Sequence, residues 1–327
     1  MTINEIAKLA GVSNAAVSRY FNNGYVSDEK REAIRRVVEE TGYVPSPQAQ
    51  TLRTKKTKLI GVIIPRLNST ATNLVVNGIS DRLETEGYQI LLGNTGDDIA
   101  KELKYLQVFN ENRVDGVILL SSMVTNKHRI AIDRLKCPVV IIGQNVDGCN
   151  CIYYNDFQAV YMVTNLLIDK GCKKIVFIGF NDEDIANGRQ RRKGFVKALK
   201  DASLPCEASQ LNTDDIKHQS GYLIMEKLYK NVPDLDGVVC ASDRVAVGAI
   251  KYLQDRGIKV PQEVKVVGHD YSDFAQAITP TLTTVRYYYE EAGSKGAAML
   301  LGLIREESLV ANEIMLGYEI IENDSSR

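Results

Sequence analysis

The chain has 327 residues, 44% hydrophobic and 25% charged, with a formal net charge of −1. This is the make-up of a globular protein with room for two or three cores. No run of about 18 apolar residues is present, so no membrane span is expected, and no basic-then-apolar leader opens the chain, so no secretory signal is expected. Six cysteines without a CxxC pair read as reduced thiols, and three scattered histidines without HExxH argue against zinc.

Residues 1–22 read as two short helices joined by a tight turn. Thr2-Ile3-Asn4-Glu5 is a capping box. Ile3, Ile6, Ala7, Leu9 and Ala10 recur on one helical face, and Gly11 supplies the permissive backbone of a turn. Ser13 is a second N-cap, opening a helix over 14–21 that is small and polar at its start and apolar at Val17, Tyr20 and Phe21. A recognition helix needs this layout, with its start in the major groove and its other face on the first helix. An ordinary helical hairpin is the alternative. Ser27 caps a third helix over 28–41, ended by Gly42. Pro45 and Pro47 follow, and Ser46-Pro47 starts a short basic segment with no apolar stripe of its own. Residues 1–58 carry a net charge of +4 and the remainder −5. A basic head with a helix-turn-helix on an acidic body is the charge pattern of a DNA binder.

Beyond residue 58 the pattern changes. Unbroken apolar runs predict strands over 59–65, 88–93, 116–120, 139–143, 174–179, 237–241 and 264–268. Helices are predicted over 71–86, 99–112, 157–170, 189–201, 219–229 and 244–256. This alternation is a doubly wound α/β fold. Val114-Asp115-Gly116-Val117-Ile118 and Leu235-Asp236-Gly237-Val238-Val239 enter strands alike, so the body has two similar halves. No GxG occurs, which removes the dinucleotide fingerprint and leaves no phosphate loop. No GxSxG and no metal-ligand spacing stand out, so the chain reads as a binder without cofactor or metal rather than an enzyme. Ligands of such sheets bind beyond the carboxyl ends of the strands.

Ile6-Ala7-Lys8-Leu9-Ala10-Gly11-Val12-Ser13, Val17-Ser18-Arg19, Val26-Ser27, Gly42-Tyr43-Val44-Pro45, Ala49-Gln50-Thr51-Leu52 and Leu59-Ile60-Gly61-Val62 together resemble the lactose-repressor (LacI/GalR) family of bacterial transcription regulators. The resemblance implies a helix-turn-helix head over 1–45, a hinge helix and linker over 46–58, and a periplasmic-binding-protein-like body over 59–327. The body would divide into one subdomain of about 59–155 and 285–312 and another of about 156–284 and 313–327, with the ligand between them. Asn14, Ala15 and Ala16 match the base-facing positions. Arg19 matches an arginine that reads guanine or clamps phosphate, and Thr2, Ser13, Ser18, Asn22 and Tyr43 are candidate phosphate contacts. In the hinge, Ala49 permits close pairing of two helices and Leu52 is the apolar wedge in the minor groove.

For the effector, Arg191 matches the family arginine that grips the ligand. Asp243 matches a hydroxyl-binding aspartate, which a role as helix N-cap leaves compatible. Asp270 reads similarly, and Tyr289, after Tyr287, would stack on a sugar ring. Pro65-Arg66-Leu67-Asn68-Ser69, with Asn73 after it, is similar to the disaccharide (trehalose/sucrose) repressors of the family. There Arg66 would hold a phosphate through charge-assisted hydrogen bonds. Gln144 stands where a second phosphate arginine is expected, so a free sugar and a sugar phosphate both stay open. Ile216 replaces a stacking tryptophan, and the chain has no tryptophan. The resemblance thus implies a cytoplasmic, homodimeric repressor of a carbohydrate operon, bound to palindromic double-stranded DNA and released by a sugar or sugar phosphate. A global carbon-catabolite regulator under a corepressor or phosphoprotein is the alternative.

Overall fold

A computed structural model describes residues 1–22, 24–43, 56–121, 123–206, 210–213, 218–307 and 313–327. The predicted hinge over 47–52, with Ala49 and Leu52, and the Ile216 position lie outside them. The chain forms two compact units, Met1–Lys58 and Leu59–Arg327.

The head is three helices, α1 (Ile3–Leu9), α2 (Asn14–Phe21) and α3 (Asp28–Thr41). The capping box closes reciprocally: Glu5 N–H donates to Thr2 Oγ1 at 3.4 Å and Thr2 N–H to Glu5 Oε2 at 2.7 Å. Gly11 makes the turn at φ +66°, and Ser13 Oγ accepts from Ala16 N–H at 3.3 Å. Ser27 stands at the N-cap of α3 but its hydroxyl makes no capping bond. Asp28 and Glu29 in the first turn complement the helix dipole instead. Ile6, Val17 and Ile34 are fully buried at the centre of this small core.

The body holds two six-stranded sheets. The first has the order β11-β5-β4-β3-β1-β2, all parallel, from β1 (Leu59–Ile64), β2 (Gln89–Asn94), β3 (Gly116–Leu120), β4 (Val139–Ile142), β5 (Asn150–Tyr154) and β11 (Glu313–Leu316). The second has the order β12-β10-β9-β8-β6-β7, from β6 (Ile175–Phe180), β7 (Gln210–Thr213), β8 (Gly237–Cys240), β9 (Lys265–His269), β10 (Thr283–Tyr287) and β12 (Tyr318–Ile321). Only β12 there runs antiparallel. Helices connect the strands: α4 (Thr70–Glu84), α5 (Ile99–Glu111), α6 (Asn126–Asp133), α7 (Asp156–Asp169), α8 (Arg191–Asp201), α9 (His218–Asn231), α10 (Asp243–Asp255), α11 (Asp273–Ala277) and α12 (Tyr289–Ile304). Helices α4 and α12 touch backbone to backbone. A Cβ on Gly78 would lie 1.9 Å from Glu290 O, and one on Gly293 would lie 2.0 Å from Val75 O.

The chain passes between the sheets three times: Asn155 links β5 to α7, Tyr288 links β10 to α12, and Gly317 alone joins β11 to β12. This corrects the expected switches at 285 and 313. Val285 pairs within the second sheet with both His269 and Ile320, and Ile314 pairs with Ile152 in the first. Strand register, which a hydropathy pattern does not carry, sets the boundary.

Candidate functional site

On α2, Asn14, Ser18, Asn22, Ala15 and Arg19 fall within one arc of about 140° at 100° per residue, and all but the half-buried Ser18 are exposed. Ala16, Val17, Tyr20 and Phe21 fill the opposite arc. Ala16 is 7% exposed and belongs to the head core. The expectation that it faces bases is therefore corrected, because its helical phase puts it with Tyr20 against the interior. Asn22 spends its amide on Ser18 O. Thr2 and Ser13 use their hydroxyls as caps while staying exposed. Tyr43 is half-buried against Phe21, with ring centroids 5.7 Å apart. Tyr25, in the connection between α2 and α3, is 87% exposed. A lone tyrosine in a loop gives no periodic signal in the sequence.

In the body a cavity of about 450 Å³ lies at the carboxyl ends of both sheets. Its described lining includes residues one to three positions beyond strand ends: Arg66 after β1, Asp97 after β2, Ser121 after β3, Gln144 after β4, Asn181 after β6, Ser242 after β8 and Asp270 after β9. Seven strands thus deliver a polar side chain where the sheet can no longer bury it. Tyr154, Phe180, Phe274 and Tyr289 add aromatic wall.

Arg191 opens α8 directly after a π-helical turn, Ile185–Gln190. That turn needs Gly188, since a Cβ there would lie 1.9 Å from Asn181 O. Arg191 is 2% exposed. Its Nε donates to Asp156 Oδ1 at 2.8 Å, Nη1 donates to Ala241 O, and Asp270 Oδ1 is 3.9 Å away. The guanidinium also lies over the Tyr287 ring, 5.1 Å from its centroid. Asp156 and Tyr287 flank two of the crossings, so Arg191 ties these crossings together as well as lining the cavity. Asp270 has φ +110° and accepts Tyr289 Oη–H at 2.7 Å. A non-glycine residue held there is strained, a feature of functional sites. Burial pushes its carboxyl up to about 6, against the pull of Arg191. His269, fully buried, is pushed down to about 3 by burial and then by Arg191, and it stays neutral. Its Nδ1–H donates to Cys240 O at 2.8 Å.

Two expected contacts stand outside the described lining. Asp243 is not among its residues. It is fully buried, and Ser272 N–H and Ser272 Oγ–H donate to its Oδ2 at 2.7 and 2.9 Å while Thr284 Oγ1–H donates to Oδ1 at 2.5 Å. Ser242, not Asp243, is the N-cap of α10. Burial, then the neighbouring Asp270, raises the Asp243 carboxyl. Asn73 is exposed and absent from the described lining; Thr72 and Val75 of α4 face the cavity instead. Arg66 lines the cavity and is ion-paired with Asp97. Arg244, unmarked in the sequence, reaches across to Asn68 O at 3.2 Å and lies over Phe274. Asp156, Asp184 and Glu102 also line the cavity, although in the sequence a lone carboxylate in a helix start looks like a cap. Among the described residues no group of three His, Cys, Asp or Glu side chains is set to hold a metal ion, and no helix is long and apolar enough to cross a membrane.

A helix-turn-helix head in one chain with a two-lobed, cleft-bearing body defines a ligand-responsive DNA-binding regulator. Residues 2–46 match the family described as bacterial regulatory proteins, lacI family, and residues 164–326 match the periplasmic binding protein-like domain. The chain is 32% identical to a sucrose operon repressor of Staphylococcus xylosus, over 97% of this chain and 98% of that protein. It is 34% identical to the HTH-type transcriptional regulator RegA of Clostridium saccharobutylicum, over 99% of both. The solved structure of a transcriptional regulator CelR–cellobiose complex is similar at a TM-score of 0.77 and 26% identity, covering 100% of both chains. The protein belongs to the lacI family of bacterial regulatory proteins. It is a transcriptional regulator.

Proposed function

We propose that the protein is a homodimeric repressor of a carbohydrate-utilisation operon, acting in the bacterial cytoplasm. A sugar-type effector in the body cavity would release it from a palindromic operator. The observation that carries this reading is the cavity wall: hydrogen-bonding carboxylates, amides and arginines beside Tyr289, Phe180 and Phe274. Polar groups for hydroxyls next to aromatic faces for a ring suit a carbohydrate. Arg66, Gln144, Arg191, Asp270 and Tyr289 are its proposed contacts. The names of the sucrose operon repressor and of the cellobiose complex support the same ligand class.

On the head, Asn14, Ala15 and Arg19 are proposed to meet bases, and Thr2, Ser13, Ser18, Asn22, Tyr43 and Tyr25 the backbone. Ala49 and Leu52 are proposed to act in the minor groove through a hinge that folds on the operator. The effector must bind the DNA-competent and the released states unequally, and Arg191 at the crossings gives it the lever. Fluorescence anisotropy on a palindrome taken from upstream of its own gene, titrated with sucrose, trehalose and cellobiose, tests this. Binding reversed by one of them supports the reading. No specific DNA binding, or release only by a partner protein, refutes it.

A further inference from the structure

We propose, resting on the reading that the cavity takes a carbohydrate, that its first-subdomain wall selects a free sugar over the phosphate ester, with Gln144 as the discriminating side chain. Gln144 is 3% exposed and lines the cavity. Its Nε2 donates to Ser121 O. That bond fixes the amide, because turning it over would set two carbonyl oxygens against each other. Oε1 is left buried with no partner. A buried acceptor without a partner is satisfied when a ligand donor arrives. A sugar hydroxyl donates; a phosphate dianion offers only acceptors.

The carbonyl that aims Gln144 is itself braced. Ser121 Oγ donates to Glu102 Oε2 at 2.8 Å, and His128 Nε2 meets the same oxygen at 2.8 Å. Thr125 N–H donates to His128 Nδ1 at 3.1 Å, which places the ring proton on Nε2. Glu102, His128 and Ser121 are all buried, so the amide does not reverse to greet an anion. Charge points the same way. Among the described lining residues stand three arginines and six carboxylates. The arginines are engaged: Arg66 with Asp97, Arg191 with Asp156 and Arg244 with Asn68 O. An acidic cavity whose cations are engaged opposes a dianion.

The test is isothermal titration calorimetry on the full chain with sucrose, trehalose and cellobiose and with the 6-phosphates of sucrose and trehalose. At least one neutral sugar binds, and a 6-phosphate binds about tenfold or more weaker, a gap of about 1.4 kcal/mol. Gln144→Met, which keeps length and removes the acceptor, weakens the free sugar about tenfold and leaves the ester unchanged. Gln144→Glu keeps an acceptor, adds charge, and widens the gap; Gln144→Arg reverses the preference. Urea midpoints establish that the variants are folded. A 6-phosphate binding as tightly as the free sugar, or tighter, overturns the inference and leaves the carbohydrate reading standing. No binding by any of the five probes overturns both.

Discussion

Arg191 offers the sharpest separation between a residue that serves the ligand and one that serves the fold. In Arg191→Met, Asp156 keeps its place, 3% exposed, and loses the charge that compensates it. Ala241 O loses a donor and the Tyr287 ring loses its cation. Removing one partner of a buried ion pair costs about 3–5 kcal/mol. At roughly 2 °C per kcal/mol for a body of this size, the ligand-free melting temperature falls by about 6–10 °C. Asp156→Asn in the same background recovers part of that loss, giving a coupling energy of about 1–3 kcal/mol in a double-mutant cycle. Urea denaturation followed by far-ultraviolet circular dichroism reads the two free energies, and a thermal scan the melting temperature, without any effector present. If Arg191→Met unfolds at the wild-type midpoint, Arg191 is not a structural tie and the hydrogen-bond geometry has been misjudged.

Other outcomes follow from the same contacts. Ile34→Ala, at a fully buried position in the head core, costs about 2–5 kcal/mol; operator binding is lost while calorimetric binding of the effector to the body persists. Arg19→Ala weakens operator binding by about 1–3 kcal/mol. If it reads a base, the loss vanishes on operators altered at one position; if it clamps phosphate, the loss is uniform and the salt slope drops by about one. The Asp270 carboxyl sits above its ordinary value because it is buried, so the folded body takes up that proton before the unfolded chain does. Its contribution is therefore fully favourable below the unfolded value and is lost as pH rises through about 6. Urea midpoints should fall between about pH 4 and pH 6.5, and Asp270→Asn should flatten that slope; equal slopes in the two proteins refute the assignment. Gly293→Ala drives a Cβ into Val75 O and should cost about 1–3 kcal/mol in the body, read as a lower urea midpoint.

The sequence by itself determined the head almost completely. Capping chemistry, the Gly11 turn and the 3.6-residue stripe are local, and α1, α2 and α3 stand where those signals put them. It also determined that strands and helices alternate in the body, because strands buried on both faces must be continuously apolar. β5 escaped notice because Asn150, Tyr153 and Tyr154 break its apolar run, yet it is the strand that leads into the first crossing. Arg66, Gln144, Arg191, Asp270 and Tyr289 were legible as cavity residues through their motifs and strand-end positions. What those motifs do not encode is where a side chain is spent. Asp243 is consumed by Ser272 and Thr284, residues 29 and 41 positions away. Ala16 is turned inward by one step of helical phase. The crossings at Asn155, Tyr288 and Gly317 and the unpartnered oxygen of Gln144 exist only once distant strands are in register. Local chemistry writes the elements; non-local pairing alone decides which polar atoms are left over for a ligand.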